Sequence, residues 1–295
     1  MLYVALISNS EARANSGESV SLQALEQLID WQALLCFAAA SMAVEFLLPL
    51  HRRPFLRAGL TTDALYLFVN SLLVRLGLIL LLALLVAAAR VFVPQAATTA
   101  IAGQPLWLQI PEAILVGDFC LYWAHRALHR NAYLWRVHAI HHAVKELDWL
   151  AAYHMHPLDE IVLSGAAFGS VCMLGFSPAA IGIYAIIYAV VSVAVHLNTR
   201  MTTGPLRWLI GSPEFHHWHH SNEREAKDRN FASIISLWDV LFGTVFLPRD
   251  RMPVVYGIDE PVPPGYVDQV FHPFRGHRSA ASGDIPVAAI TPSVH

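Results

Sequence analysis

Long apolar runs alternate along the chain with short polar stretches that carry arginine. The runs are long enough to cross a bilayer, for which about 20 apolar residues suffice in a helix. A first run extends from Trp31 to Leu50 and ends in HRRPFLR at residues 51–57. A second, from Asp63 to Val93, exceeds one crossing and contains Asn70 and Arg75, which predicts an interfacial start before the Leu76–Ala89 stretch descends; Pro94 ends it. A third, from Pro105 to Trp123, feeds directly into HRALHR. A fourth and a fifth, Leu158 to Leu174 and Pro178 to His196, are joined by a short GFSP turn and are short enough to form a hairpin that dips in and returns. The pattern predicts an all-α integral membrane protein with four to five membrane-spanning helices.

Arginine placement predicts which side is which. Residues 51–57, 125–136 and 200–229 bear arginine, whereas 94–104 and 174–178 carry no charge, so the arginine-bearing segments are expected to face the cytoplasm. Five crossings then put the N-terminus outside and everything after His196 inside, as a cytoplasmic helical cap. For a bacterial chain the membrane would be the inner one. Four segments follow: 1–30 as an N-terminal segment, 31–104 as N-terminal transmembrane helices, 105–248 as a catalytic domain, and 249–295 as a Pro-rich tail whose Ser/Ala/Gly end, from about Arg278, is expected to be disordered. The first 30 residues carry Glu11, Glu18, Glu26 and Asp30 and lack the basic start and apolar centre of a secretory signal.

Composition agrees with this pattern and removes some functions. With 56% hydrophobic and 14% charged residues the chain is wrong for a soluble globule. A net charge of -3 and only two lysines, Lys145 and Lys227, offer no basic stripe for nucleic acid. Cys36, Cys120 and Cys172 sit in apolar runs too far apart for a zinc or iron–sulfur spacing and are expected to be buried packing thiols.

Histidine changes the picture most. Of 16 histidines, 12 lie between His125 and His220. His125 and His129 are spaced i, i+4 and share a helix face; His138, His141 and His142 give an i, i+3, i+4 face; His216, His219 and His220 repeat it, with His217 one step round. Eight nitrogens in three matched sets suit two metal ions with about four each. Neutral imidazole favours iron, copper, zinc or nickel over magnesium, calcium or manganese. His196, at the end of the fifth run, is a further ligand or an orienting residue. Nearby groups should orient the far ring nitrogens: Asp118, about two turns before His125, is the first candidate, with Asp228, Glu214, His156 and Asn198 behind it. His154 and His156 could equally cap the fourth run, and His51, His272, His277 and His295 are expected to be bystanders.

The ordered set HRALH, HAIHH and HHWHH resembles the signature HxxxH, HxxHH, HxxHH of the fatty acid hydroxylase and sterol desaturase superfamily, membrane-embedded di-iron oxygenases. The resemblance extends to DFCLYWAHR, HPLDE, the HLN at His196 and DRNFASIISLWDVLFGT from Asp228 to Thr244, and covers roughly Pro105 to Pro248. It implies two iron ions bound by His125, His129, His138, His141, His142, His216, His219 and His220, with His196 a further ligand, and hydroxylation or desaturation of a lipid with O2 and two electrons. Lipid 2-hydroxylases resembling this family carry a second histidine four residues after the His196-like position, where this chain has Arg200, so that branch is disfavoured. With no fused haem domain and no cysteine set, the electrons are expected from a separate protein of ferredoxin, cytochrome b5 or reductase type. A di-zinc membrane hydrolase and a metal transporter are the competing readings; transport would place ligands at mid-membrane rather than at helix ends.

Overall fold

The structure, a computed structural model, describes residues 31–54 and 57–275. The expectations for residues 1–30 and for the tail from Arg278 lie outside the described residues, as do His277 and His295. Ten helices of the α type carry the described chain, and its strand-like pairing is confined to two isolated bridges, Pro49 with Thr199 and Ser221 with Tyr256.

The first apolar run forms α1 (Trp31–Leu47). The second is α2 (Leu60–Phe92), one continuous 33-residue rod about 50 Å long at 1.5 Å per residue. Asn70 and Arg75, expected at its start, ride in the shaft of this helix, whose one irregularity is a widened π turn at Tyr66–Asn70. Pro94 precedes α3 (Gln95–Ala102). The third run becomes α4 (Leu106–Arg130), which continues through HRALHR, so the first histidine pair sits on the last turns of the same helix. Asn131 caps α5 (Ala132–His142), its Oδ1 accepting from the Tyr133 and Leu134 amides. The fourth and fifth runs are α6 (Pro157–Leu174) and α7 (Pro178–Ala194). Between them Gly175 adopts φ 80°, the left-handed stop that glycine supplies, and Ser177 caps α7. The shorter α8 (Pro213–His219), α9 (Leu237–Leu241) and α10 (Tyr266–Phe271) follow.

Two helices, α2 and α6, are long and apolar enough to cross a membrane; α1 from Leu34 and α7 are apolar but shorter. On α2, Leu72, Leu76, Leu80 and Leu84 form an exposed stripe at i, i+4 spacing, an apolar face that only lipid or another helix can cover. The opposite face packs on α6, where Gly165 and Gly169 allow close approach: a Cβ on either would come within 2.6 Å of Leu81 Cδ2 and Leu85 Cδ1 respectively. α6 also packs on α4, and Leu121, Leu128, Leu163, Ala167, Phe168 and Tyr184 form the shared core. The expectation of buried cysteines is corrected. Cys36 is exposed and Cys120 and Cys172 are only partly buried, although Cys172 packs against the shared core.

Beyond the ends of these helices, α5, α8 and their loops form a polar layer. Arg57 binds Asp148 through Nε and Nη2 at 2.6 and 2.8 Å and also reaches Asp63, an ion cluster that pins the start of α2 to the segment after α5. The Pro-rich segment after residue 248 does not trail away within the described residues. Pro264 O accepts from Thr62 Oγ1 at 2.8 Å, and the Tyr256 hydroxyl meets His51 Nε2 at 3.2 Å and His217 Nδ1 at 2.8 Å.

Candidate metal centre

The three histidine groups converge from separate elements. The last two turns of α4 present His125 and His129, α5 presents His138, His141 and His142, the end of α7 presents His196, and α8 presents His216, His219 and His220. The α8 turn is fixed by Ser212, whose Oγ accepts from the Phe215 amide at 3.2 Å, and by Gly211, whose amide donates to Ile234 O at 2.8 Å. The result is two adjacent sets: His125, His129, His138, His142 and His219, and His141, His196, His216 and His220, with one nitrogen from each residue within 4.8 Å of every other in its set. The rings of His142 and His220 stack at 4.5 Å and bring the sets side by side. All nine sequence-predicted ligands are in one or other set, and neither set includes a carboxylate.

Hydrogen bonds at the far ring nitrogens decide where the protons are. Nδ1 of His125 bonds Phe231 O at 2.7 Å, His141 bonds His154 O at 3.0 Å, His196 bonds Ser192 O at 2.6 Å and His219 bonds Arg229 O at 2.8 Å. A carbonyl oxygen can only accept, so each of these Nδ1 atoms carries the proton. His138 Nδ1 faces both oxygens of Asp159 at 2.9 and 3.0 Å, and His129 Nδ1 faces Asp228 at 3.2 Å. In these six rings Nε2 is thereby left as a bare lone pair, while Nδ1 of His216 and His220 is buried with no partner, and the Nε2 atoms of the two sets point at one another. His125, His129 and His142 each approach His138 Nε2 at 3.1 Å; His141–His196, His196–His216 and His216–His220 lie at 3.3, 3.0 and 3.1 Å. His219 Nε2 is buried with no partner.

Lone pairs facing each other across 3 Å repel unless a cation lies between them. Metal–imidazole bonds of about 2.0–2.1 Å place adjacent ligand nitrogens about 2.8–3.4 Å apart for octahedral to tetrahedral angles. The donor set therefore fits two transition-metal ions. Protonation does not compete at neutral pH, because His141, His142, His216, His219 and His220 are held well below the ordinary imidazole value, first by burial and then by the neighbouring imidazoles.

The loop from Asp228 to Ala232 supplies three of the braces, and its shape has an identifiable cause. Asp228 and Asn230 both adopt φ 58°, which short polar side chains tolerate, and Asn230 ties the loop to Phe215 O and to both backbone groups of Phe246. Buried Asp239 accepts from the Phe231 and Ala232 amides at 2.8 Å. Asp118 accepts from the Ile234 and Ile235 amides at 2.9 and 2.8 Å and from Trp238 Nε1 at 3.1 Å. The expected role of Asp118 is thus corrected: it touches no imidazole and instead holds the loop that does.

Three other expected orienting residues are also corrected. His156 Nδ1 caps α6 by accepting from the Leu158 amide, and its Nε2 donates to Val270 O; Asn198 exchanges hydrogen bonds with the His51 backbone; Glu214 accepts from Arg207. Asp228 does face a ring nitrogen. Sequence reasoning missed Asp159, although it lies in the HPLDE stretch, in the first turn of α6 where an acid is favoured. His217, expected one step round α8 from the ligands, joins neither set; it accepts from Tyr256 and donates to Leu197 O.

Asp118→Ala is expected to leave three partly buried donors without an acceptor, at about 1 kcal/mol each. Its thermal midpoint in detergent should fall by several degrees; an unchanged midpoint would contradict the bracing role.

Residues 110–244 match the fatty acid hydroxylase family model. The chain is similar to the ornithine lipid hydroxylase OlsE of Rhizobium tropici, 30% identical over 171 residues, 58% of this chain and 51% of that protein. It is similar to the alkylglycerol monooxygenase of Homo sapiens, 27% identical over 151 residues, 51% of this chain and 33% of that protein. It also resembles a very-long-chain aldehyde decarbonylase of Oryza sativa subsp. indica, 27% identical over 146 residues, 48% of this chain and 54% of that protein. The chain therefore spans about half or less of the length of these relatives. No solved structure matches it.

Proposed function

Because residues 110–244, somewhat under half of the chain, match the fatty acid hydroxylase family model, we propose that this chain is a membrane-bound di-iron oxygenase that hydroxylates or desaturates a lipid. The observation that carries the proposal is the convergence of unprotonated Nε2 atoms in two adjacent all-histidine sets. His125, His129, His138, His142 and His219 would hold one iron, and His141, His196, His216 and His220 the other. Two irons held there would supply activation of O2, so that a C–H bond and O2 with two electrons and two protons give C–OH and water, or, with two hydrogens removed, an alkene and two waters.

The chain's own groups do the rest. Asp159, Asp228 and the carbonyls of Phe231, Arg229, His154 and Ser192 keep each bonded Nδ1–H fixed, which aims Nε2 inward and prevents the rings from turning. All nine ligands present buried nitrogens, and packing around Trp218, Phe215 and Phe231 excludes bulk water from that side. A polar cleft of about 240 Å³ meets the five-histidine set at His129, His142 and His219, with Trp135, Lys227 and Asp228 in its wall. Electrons and protons from a separate redox protein would enter there. The substrate would enter sideways from the bilayer between the helices, four or five of which cross it, with the histidine layer on the cytoplasmic side.

Cells expressing the chain under 18O2 should accumulate a membrane lipid heavier by one 18O, or one lighter by two hydrogens. A lipid profile changed only by hydrolysis, and independent of oxygen, would replace the oxygenase with a di-zinc hydrolase.

A further inference from the structure

A second cleft, of about 240 Å³, is cut between α2, α6 and α7. Much of its wall is hydrocarbon, from Val74, Phe168, Ala185, Ala189 and Val193. It ends at Tyr153 and Met155, which flank the His154 carbonyl that braces His141, and at Ser192, whose carbonyl braces His196. Into this cleft Glu160 contributes a carboxylate.

Glu160 stands in the first turn of α6, and its carboxylate, in a wall that also carries Arg75, is desolvated there at a cost that a bound hydrogen-bond donor would offset. Among the described residues Glu160 takes one hydrogen bond, from Asn70 Nδ2 at 3.3 Å. That contact is not required to join α2 to the start of α6, since the same Nδ2 donates to Met155 O at 3.1 Å. Asn70 is 1% exposed, and its Oδ1 is buried with no partner. It also closes the π turn of α2, an irregularity found frequently where a helix serves a functional site. Tyr188, Ser164 and Ser192 continue the polar strip along α6 and α7.

We infer that this strip recognises a hydrogen-bond-donating group on the lipid, a hydroxyl or an amide N–H, which the Glu160 carboxylate accepts. The substrate is then a functionalised lipid whose polar group is drawn into the cleft, not a plain hydrocarbon chain, and Glu160 selects it and sets which carbon lies toward His141 and His196. The inference rests on the lipid-oxidation reading for the purpose of binding, but the binding itself is separately measurable.

The test uses the full chain in phosphatidylcholine nanodiscs, with metal content measured on the same samples. Two diazirine photoprobes of equal chain length, a hexadecanamide and a hexadecane, are compared. In the wild type the amide should label residues 152–193 at least about tenfold more than the hydrocarbon, as one hydrogen bond to a charged acceptor supports. Glu160→Leu should bring that ratio to about one, whereas Glu160→Gln, which keeps an acceptor oxygen, should retain part of it. Equal labelling of the wild type by both probes, or an amide preference that survives Glu160→Leu, overturns the inference and leaves the metal centre standing. Selective labelling of a chain that holds no metal after iron-replete growth would instead sink the oxidation reading and leave the binding site.

Discussion

His141→Ala is expected to lower lipid oxidation at least about 100-fold, because loss of a group that merely orients a ligand already costs 10–100-fold in metal affinity or activity. His141 belongs to the four-histidine set, where no fifth imidazole stands in reserve, and its Nε2 contacts His196 Nε2 at 3.3 Å. The variant should still insert in the membrane and retain about one of the two metals, since the five-histidine set is complete without it. Product formation and metal content on the same preparation check both parts. Oxidation of the native lipid at the wild-type rate would remove His141 from the site.

Asp159→Ala carries the second largest effect. Asp159 is fully buried and takes the Nδ1–H of His138 with both oxygens, and His138 Nε2 in turn contacts the Nε2 atoms of His125, His129 and His142. Removing the carboxylate frees that central ring to rotate and leaves a buried N–H unpaired. Metal retention against a chelator and turnover should each fall about 10–100-fold. Asp159→Asn keeps an acceptor oxygen and should fall less. The discriminating measurement is a chelator challenge on the three proteins side by side; equal retention by all three would show that His138 is held by packing alone.

Much of this was readable in the chain. The helical spacing of HRALH, HAIHH and HHWHH put the imidazoles on common faces before any coordinates, and the apolar runs marked the helices that carry them. What could not be read is what fixes those imidazoles. Four of the Nδ1 braces are backbone carbonyls, of Phe231, Arg229, His154 and Ser192, and a carbonyl leaves no mark on residue type. Asp118 was singled out for its proximity to His125 in sequence, yet the contacts that define its role lie 116 to 120 residues away. The Arg57–Asp148 cluster and the return of Tyr256 to His51 and His217 are likewise long-range and polar, with no periodicity to betray them. The crossings are less legible because α4 carries Gln109 and Asp118, which are buried in protein contacts, so its composition underreports how much of it avoids water.

The most direct test of the account is the metal itself, measured by mass spectrometry on detergent-purified full chain prepared without chelator or nickel affinity resin, with Mössbauer spectra of an iron-57-grown sample. About two irons per chain and the spectrum of a coupled pair are expected, as two neighbouring all-imidazole sets that hold iron would give. Zinc alone, persisting after iron-replete growth, would contradict the account.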